Sequence, residues 1–504
     1  MTADQSPLVD KAPAVTTKTP RIVIIGAGVS GIGSAIKLRE AGFHDLRIVE
    51  KSDSFGGTWH DNSYPGASCD VPAHLYSLSF APNPNWSVHF AGQPEILAHF
   101  RSVAAEHHLS DITSFNTEIV SAEWRHETAE WHLHTATGDE IVANVVISGL
   151  GQLNRPKIPA IEGLDSFAGT KFHSARWNHD HDLTGRRVAV IGTGASAIQF
   201  VPEVAKQVGH LDLYQRSPNW VLPRVNEPYS EGRKRAFRRV PGARLLHRAA
   251  IWARFEGLVG PVFNSGSVPN KKATDAAMKF LAASVPDDDL RAKLTPDYPI
   301  GCTRILGSSS WYPALQQSNV EVIASGIERI VADGIIDTEG RHREVDTIIF
   351  GTGFRTTEFL SPINFRGIHG RSLHESWGDG AEAYMGTITE GFPNLFMLYG
   401  PNTNLGHNSI IFMIEQQLRY VVKLLDEMKA LDLVAIEPRP EAQATYNEWV
   451  QEKMRKRVWV ADCSSWYKNE SGKVVNNWPT STVEYWRKCR RPDFDAFTGY
   501  RRPT

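Results

Sequence analysis

Long apolar runs, paired cysteines and a surplus of either charge are all missing from this sequence. The 504 residues include only four cysteines, Cys69, Cys302, Cys463 and Cys489, and no two stand in C-x-x-C spacing. That argues against a zinc ribbon or a local dithiol redox centre, and scattered thiols of this kind fit a reducing compartment. No metal site is expected. The formal net charge of -2 gives no reason to expect nucleic acid or an anionic membrane as partner. The longest apolar stretch, residues 22–36, is broken by glycines and too short to span a bilayer. The first twenty residues are polar, rich in Thr and Pro, and lack an apolar h-region. The expectation is a disordered arm over 1–20 and a cytoplasmic protein without an integral membrane segment.

What is present is organised around the stretch from Gly163 to Ala197. Its second half is a nucleotide-binding turn, and its first half, Phe167-x-Gly169-x-x-x-His173-x-x-x-Trp177, leads directly into that turn. A similar turn occurs earlier. Residues 21–25 read as a buried strand, Gly26-Ala-Gly28-Val-Ser-Gly31 as the turn, a helix runs to about Ala41, and residues 46–50 read as the next strand. Strand, glycine turn, helix, strand is the context that makes G-x-G-x-x-G a dinucleotide signature. The first glycine permits the tight turn, the second lets a pyrophosphate approach the backbone, and the third lets helix pack on strand. Glu50 closes the second strand, 24 positions after Gly26. A carboxylate there accepts hydrogen bonds from ribose hydroxyls and repels a 2′-phosphate. An acidic strand end in a purely structural unit would leave the same trace.

The second unit opens with a strand over 187–191, the turn Gly192-Thr193-Gly194-Ala195-Ser196-Ala197, a helix to about Gln207 and a strand over 211–215. Arg216 stands 24 positions after Gly192, the offset found for Glu50 with the charge reversed. A guanidinium there suits the 2′-phosphate of NADP, with Ser217 beside it, although an exposed strand-end arginine would read alike. One unit therefore takes a ribose with free hydroxyls and the other takes NADP.

Around these units the chain reads as α/β, with two Rossmann-like dinucleotide-binding domains, the second inserted in the first. The glycine-rich strand ends at 145–151 and 346–354 pair in style as hinges. The expected division is a first domain over 21–151 and 354–504 and a second over 152–353, which carries a helical insertion at about 228–300. Residues 118–124, 131–135 and 141–148 alternate like strands of a small sheet. Residues 231–263 hold eight Lys or Arg against two Glu. They could lie on a membrane surface, but the preferred reading is a helical cap with solvated charges.

NADPH donates a hydride, and the second dinucleotide must accept it. NAD there would make a transhydrogenase, whereas FAD takes two electrons and passes them to oxygen, a disulfide or another carrier. With no C-x-x-C, the acceptor is expected to be oxygen, a substrate or a redox protein.

The order of motifs from Arg21 to the C-terminus resembles the class B flavin-dependent monooxygenases, and within them the type I Baeyer–Villiger monooxygenases. Phe167-x-Gly169-x-x-x-His173-x-x-x-Trp177 is similar to that family's fingerprint, with Asn178 where the family usually has Pro or Asp. Gly56-Gly57-x-Trp59 with Tyr64-Pro65-Gly66-x-x-x-Asp70 resembles its second pattern, and 400–415, GPNTNLGHNSIIFMIE, resembles the acetophenone and open-chain ketone branch. The resemblance implies that NADPH reduces FAD and that O₂ then adds at the flavin C4a. The resulting peroxide anion would convert a small-molecule ketone into an ester or lactone. An anionic nucleophile and a developing oxyanion both call for a fixed cation in a dry site, and arginine stays charged there. In the resemblance that cation is Arg304, and Asp70 is the carboxylate that positions it. The resemblance places FAD against Gly26, Gly28, Gly31, Glu50, Gly57, Thr58, Trp59, Asp70, Tyr76 and Ile410. It places NADP against Gly192, Thr193, Gly194, Ala195, Ser196, Arg216, Ser217, Arg304 and Trp466. Phe167, Gly169, His173 and Trp177 are expected to tune domain motion. Where family members carry Lys just before the arginine, this chain has Thr303, so Arg216 must supply most of the selectivity for NADPH.

Residue by residue, other readings stand beside these. Arg304 could make an interdomain salt bridge, Asp70 a loop hydrogen bond and Trp466 a packing contact. At the level of function, the alternatives are an N- or S-oxygenating flavin monooxygenase, an NADPH-dependent reductase feeding a redox partner, and a cofactor-binding sensor.

Overall fold

The apolar runs before the two glycine turns become the central strands of two parallel sheets. The computed structural model describes residues 19–463 and 465–501, so all but the last two positions of the expected 1–20 arm lie outside the described residues. In the first sheet Ile22–Ile25 lies between Leu46–Val49 and Val145–Ser148, with Thr113–Ser114 and Leu395–Met397 at the edges, all parallel. In the second, Arg187–Ile191 lies between His210–Tyr214 and Thr347–Phe350, with Val320–Ile323 and Thr170–His173 at the edges, again all parallel. Both central strands are almost entirely buried, as parallel strands covered on two faces must be. The two sheets share one spatial plan. They differ in the strand at one edge, which comes last along the chain in the first sheet (Leu395–Met397) and first in the second (Thr170–His173). All strands of the second sheet fall between Val145–Ser148 and Leu395–Met397 of the first.

Two connecting segments run side by side where the chain passes between the sheets. Lys157 N–H donates to the Gly353 carbonyl at 2.9 Å and Arg355 N–H to the Arg155 carbonyl at 3.0 Å. The Arg155 side chain meets Glu358 at 2.6 Å. The long helix Ile410–Ala430 packs on Val29–Glu40 and closes the first sheet.

The third small-sheet strand expected over 141–148 is in fact two. Glu140–Ala143 pairs in the four-stranded antiparallel-rich sheet, while Val145–Ser148 joins the first parallel sheet. Asn144 makes the corner: its side-chain oxygen accepts from Arg21 N–H at 3.0 Å and its carbonyl from the Asn394 amide at 2.9 Å.

The insertion is helical, as Glu231–Arg239, Ala243–Arg254, Val268–Ser284 and Asp288–Lys293. Its charges are not simply solvated, which corrects the expectation. Arg248 turns inward and donates to the carbonyls of His74 at 2.9 Å and Ser77 at 2.8 Å, while Leu245 and Leu246 on the opposite face are 70% and 72% exposed. The inner face meets backbone carbonyls of the 74–77 loop, which accept the side chain drawn in toward them.

Gly31 shows how tightly the first turn is built. A Cβ at this position would sit 1.9 Å from the Gly26 carbonyl oxygen. Gly31→Ala should therefore cost roughly 1–3 kcal/mol of stability, visible as a lower thermal unfolding midpoint and loss of bound cofactor. An unchanged midpoint would show that the turn relaxes freely.

Candidate active site

Asp70 and Arg304 are 234 residues apart in the chain and meet in the structure. Asp70 ends the Gly- and Pro-rich loop after the first unit. Arg304 comes just before strand Leu306–Gly307, which pairs in parallel with Val221–Leu222 and so fixes where the arginine leaves the backbone. Arg304 Nε donates to Asp70 Oδ2 at 2.7 Å and its terminal nitrogen reaches the same oxygen at 2.5 Å. Burial works against the charge, but the neighbouring carboxylate outweighs it and holds the guanidinium above its ordinary range. The side chain keeps 32% of its surface open, toward a cavity of about 1700 Å³ that it lines together with Asp70.

That cavity runs along the carboxyl ends of both sheets, where ligands of open α/β sheets bind. Gly26, Gly28, Glu50, Gly57, Thr58, Trp59, Tyr76 and Ile410 border it, and so do Gly192, Thr193, Gly194, Ala195, Ser196, Arg216, Ser217 and Trp466. Gly31 lies behind the first turn and supports it. Glu50 is buried and accepts Ala27 N–H at 2.7 Å and Ser52 N–H at 2.8 Å, so its carboxylate is fixed at the turn. The Trp59 indole donates to the Tyr76 hydroxyl at 3.2 Å. Burial pushes that phenol well above its usual range. The Thr303 hydroxyl turns to Tyr298, 3.1 Å away.

The equal spacing of Glu50 and Arg216 is not an equal position. Ile25 pairs with Val49, and Ile191 pairs with Tyr214, so the second unit is one residue shorter in register. Gln215, buried and donating to the Lys293 carbonyl at 2.8 Å, occupies the place of Glu50. Arg216 is the next residue, exposed at the cavity wall. Arg216 lies two positions beyond Tyr214, the last paired residue of that strand.

None of Phe167, Gly169, His173 and Trp177 borders the cavity. His173 packs on Phe354, next to the second connecting segment, and its Nδ1 accepts Ala175 N–H. Burial brings its pKa down to about 4, so it is neutral. Trp177 packs edge-on to Phe172 and tilted against Phe200, and Phe200 meets Tyr64 of the first unit's loop. The fingerprint thus braces the helix behind the second turn against the loop that carries Asp70.

Three residues that no motif singled out hold this arrangement. Gln199 accepts from the Tyr64 hydroxyl at 3.1 Å and from Ser68 N–H at 3.2 Å, and donates to the Ser68 carbonyl at 3.0 Å. Arg224 donates to the Ser68 hydroxyl at 3.1 Å and the Cys69 carbonyl at 2.7 Å. Glu256, on the insertion, accepts from Asn408 at 3.0 Å and from Thr482 N–H and Oγ at 2.9 and 2.6 Å, with His407 at 3.3 Å. Burial would raise its pKa, but these partners hold it down at about 2. The expectation of no dithiol also needs correction: Cys302 and Cys463, 161 residues apart, are joined by a disulfide. Sequence spacing could not show a pair closed by tertiary folding.

A profile of flavin-binding monooxygenase-like proteins matches residues 19–232. A Baeyer–Villiger monooxygenase of Pseudomonas aeruginosa is 46% identical over 479 residues, 95% of this chain and 91% of its own length. Among solved structures, an oxidised steroid monooxygenase bound to NADP superimposes with a TM-score of 0.85 at 30% identity, covering 96% of this chain and 99% of that one. A complex of OTEMO with FAD and NADP gives 0.87 at 27% identity, covering 97% and 100%. By its motifs, its paired sheets and its similarity over nearly the whole length of these proteins, the chain belongs to the Baeyer–Villiger monooxygenases of the flavin-binding monooxygenase-like family.

Proposed function

We propose that this chain uses NADPH and O₂ to convert a small-molecule ketone into an ester or lactone on a bound FAD. The observation that carries the reading is the Asp70–Arg304 pair on the wall of one cavity that both dinucleotide turns face. At about 1700 Å³ that cavity exceeds the ~300–1,000 Å³ of a usual single-ligand site, as two cofactors and a substrate require. The residues present fit both cofactors. A Cβ at Gly57 would sit 2.9 Å from the Gly28 backbone, so side chains are excluded where a pyrophosphate must approach. Gly26 and Gly192 share a left-handed φ of +102° and +101° at equivalent turns.

When bound, NADPH supplies the hydride and FAD the two-electron chemistry that activates O₂. Glu50, held by two backbone N–H groups, accepts the hydroxyls of a ribose. Arg216 and Ser217 meet the 2′-phosphate of NADPH. The helix Ile410–Ala430 begins at the cavity, where the positive end of its dipole favours negative charge. Arg304 is the catalytic cation that stabilises negative charge on the reacting oxygen, and Asp70 is its positioning residue. Trp466 closes the nicotinamide side. The chain divides, in this reading, into 21–151 with 354–504 on the FAD side and 152–353 on the NADP side. The stretch 400–415 supports aryl or open-chain ketones within the substrate class. No helix of the described residues is long and apolar enough to cross a membrane; a cytoplasmic site of action is part of the proposal.

The direct test supplies NADPH and O₂ with ketones, sulfides and amines and reads products by mass. A ketone gaining one oxygen as an ester supports the proposal; oxygen appearing only on nitrogen or sulfur would replace it with the N- or S-oxygenating reading. Arg216→Ala should raise the KM for NADPH by about 10- to 100-fold, the loss of a charged hydrogen bond, with little change for NADH. Equal effects on both cofactors would remove the 2′-phosphate from Arg216.

A further inference from the structure

The helix Ala243–Arg254 is turned inside out. Ordinarily a surface helix buries its apolar stripe and shows its charges to water. Here Arg244, His247, Arg248 and Ile251, spaced as one helical face, point inward. The Arg244 guanidinium donates to the Pro82 carbonyl at 3.4 Å and the Arg248 guanidinium to those of His74 and Ser77, while His247 meets the Tyr229 hydroxyl at 3.1 Å. The opposite face, Leu245, Leu246, Ala249, Ala250 and Ala253, is exposed throughout and carries no polar side chain. Val240 before it and Leu258 after it are exposed as well. Of the twelve large apolar side chains exposed among the described residues, six fall between Val240 and Met278, so the apolar surface is concentrated on this insertion. Cations stand at both ends of the stripe. Arg235 and Arg239 lie opposite the buried Phe237 on the preceding helix Glu231–Arg239, and Arg254 closes the stripe at its other end; all three are exposed.

We propose that this outward face is a peripheral docking surface for an anionic phospholipid bilayer. Leu245 and Leu246 enter the boundary between headgroups and acyl chains, and Arg235, Arg239 and Arg254 meet lipid phosphates. An apolar stripe bounded by arginines is the pattern of a helix that lies in the membrane plane, so no spanning helix is needed. The formal net charge of -2 does not oppose this contact. Salt screens charges beyond about 8 Å at physiological ionic strength, which leaves the local balance in control. That balance is eight Lys or Arg against two Glu over residues 231–263. Of the two, Glu231 is paired with Lys234 at 3.0 Å and Glu256 turns inward to Asn408 and Thr482. A second copy of this chain fits the face less well. A stable protein interface draws on about 20–30 residues a side, whereas this stripe offers seven apolar ones, Val240, Leu245, Leu246, Ala249, Ala250, Ala253 and Leu258. In a two-fold contact the same patch meets itself. Whichever way the two helices ran, a cationic end would then face a cationic end.

The test floats the full-length holoenzyme with vesicles of phosphatidylcholine alone and with vesicles of equal parts phosphatidylcholine and phosphatidylglycerol. Binding to the mixed vesicles should be about tenfold stronger or more, and should weaken as salt is raised. Leu245→Asp with Leu246→Asp should reduce it at least about tenfold. Flavin content and the thermal unfolding midpoint should stay unchanged, because neither leucine is buried or borders the cavity. Arg239→Glu with Arg254→Glu should remove the preference for the anionic lipid. Absence of flotation with the mixed vesicles, or equal flotation of the double leucine variant, overturns the proposal. Light scattering of the same samples reads the other occupant: a dimer that the leucine changes dissociate, with no flotation, overturns the lipid surface and gives the face to a second copy.

Discussion

A charge that must stay charged while half-removed from water is the constraint on which this structure turns. An arginine on the wall of a deep cavity loses hydration, and the loss is offset by a well-placed carboxylate. Asp70 provides it, through two contacts to a single oxygen. Because Asp70 sits on a loop with no regular secondary structure, that loop must itself be held. Gln199 fixes Ser68 from the helix behind the second turn, and Arg224 fixes Ser68 and Cys69 from beside the strand that precedes the insertion. Each of these partners belongs to the segment between the two connecting chains. The position of Arg304 relative to Asp70 is thus set by the packing of one nucleotide unit against the other.

The two sheets make that packing productive. Their strands point carboxyl ends at a common cavity, so two turns with the same geometry present backbone N–H groups to the same space. The fingerprint stretch works behind this wall. His173 is neutral, buried against Phe354 and without access to the cavity, which removes it as a general base. Trp177, Phe200 and Tyr64 form an aromatic line from the second unit to the loop of the first.

The elements governed by local patterning were legible in the chain: both strand–turn–helix units, the insertion's helices and the helix from Ile410. Asp70 and Arg304 were legible only through resemblance, since nothing within either segment specifies the other. Position counting misled at Arg216, because counting from Gly192 does not register a connection one residue shorter; Gln215 fills the place of Glu50. Asn144 was unreadable as a corner because its partners, Arg21 and Asn394, lie 123 and 250 residues away. Gln199, Arg224, Glu256 and the Cys302–Cys463 pair share that character, as each acts through a partner that only the tertiary fold supplies. The inward Arg248 departs from composition for a related reason, the carbonyls of the loop beneath it that accept its guanidinium.

The most direct measurement is a double-mutant cycle on ester formation with Asp70→Ala, Arg304→Ala and the combined variant, with FAD content read from absorbance in each. If Asp70 acts by positioning Arg304, each single change slows ester formation by about 10²- to 10³-fold with flavin retained, and the combined variant is no slower than Arg304→Ala alone. Losses that multiply in the combined variant, or full ester yield from Arg304→Ala, would contradict the account.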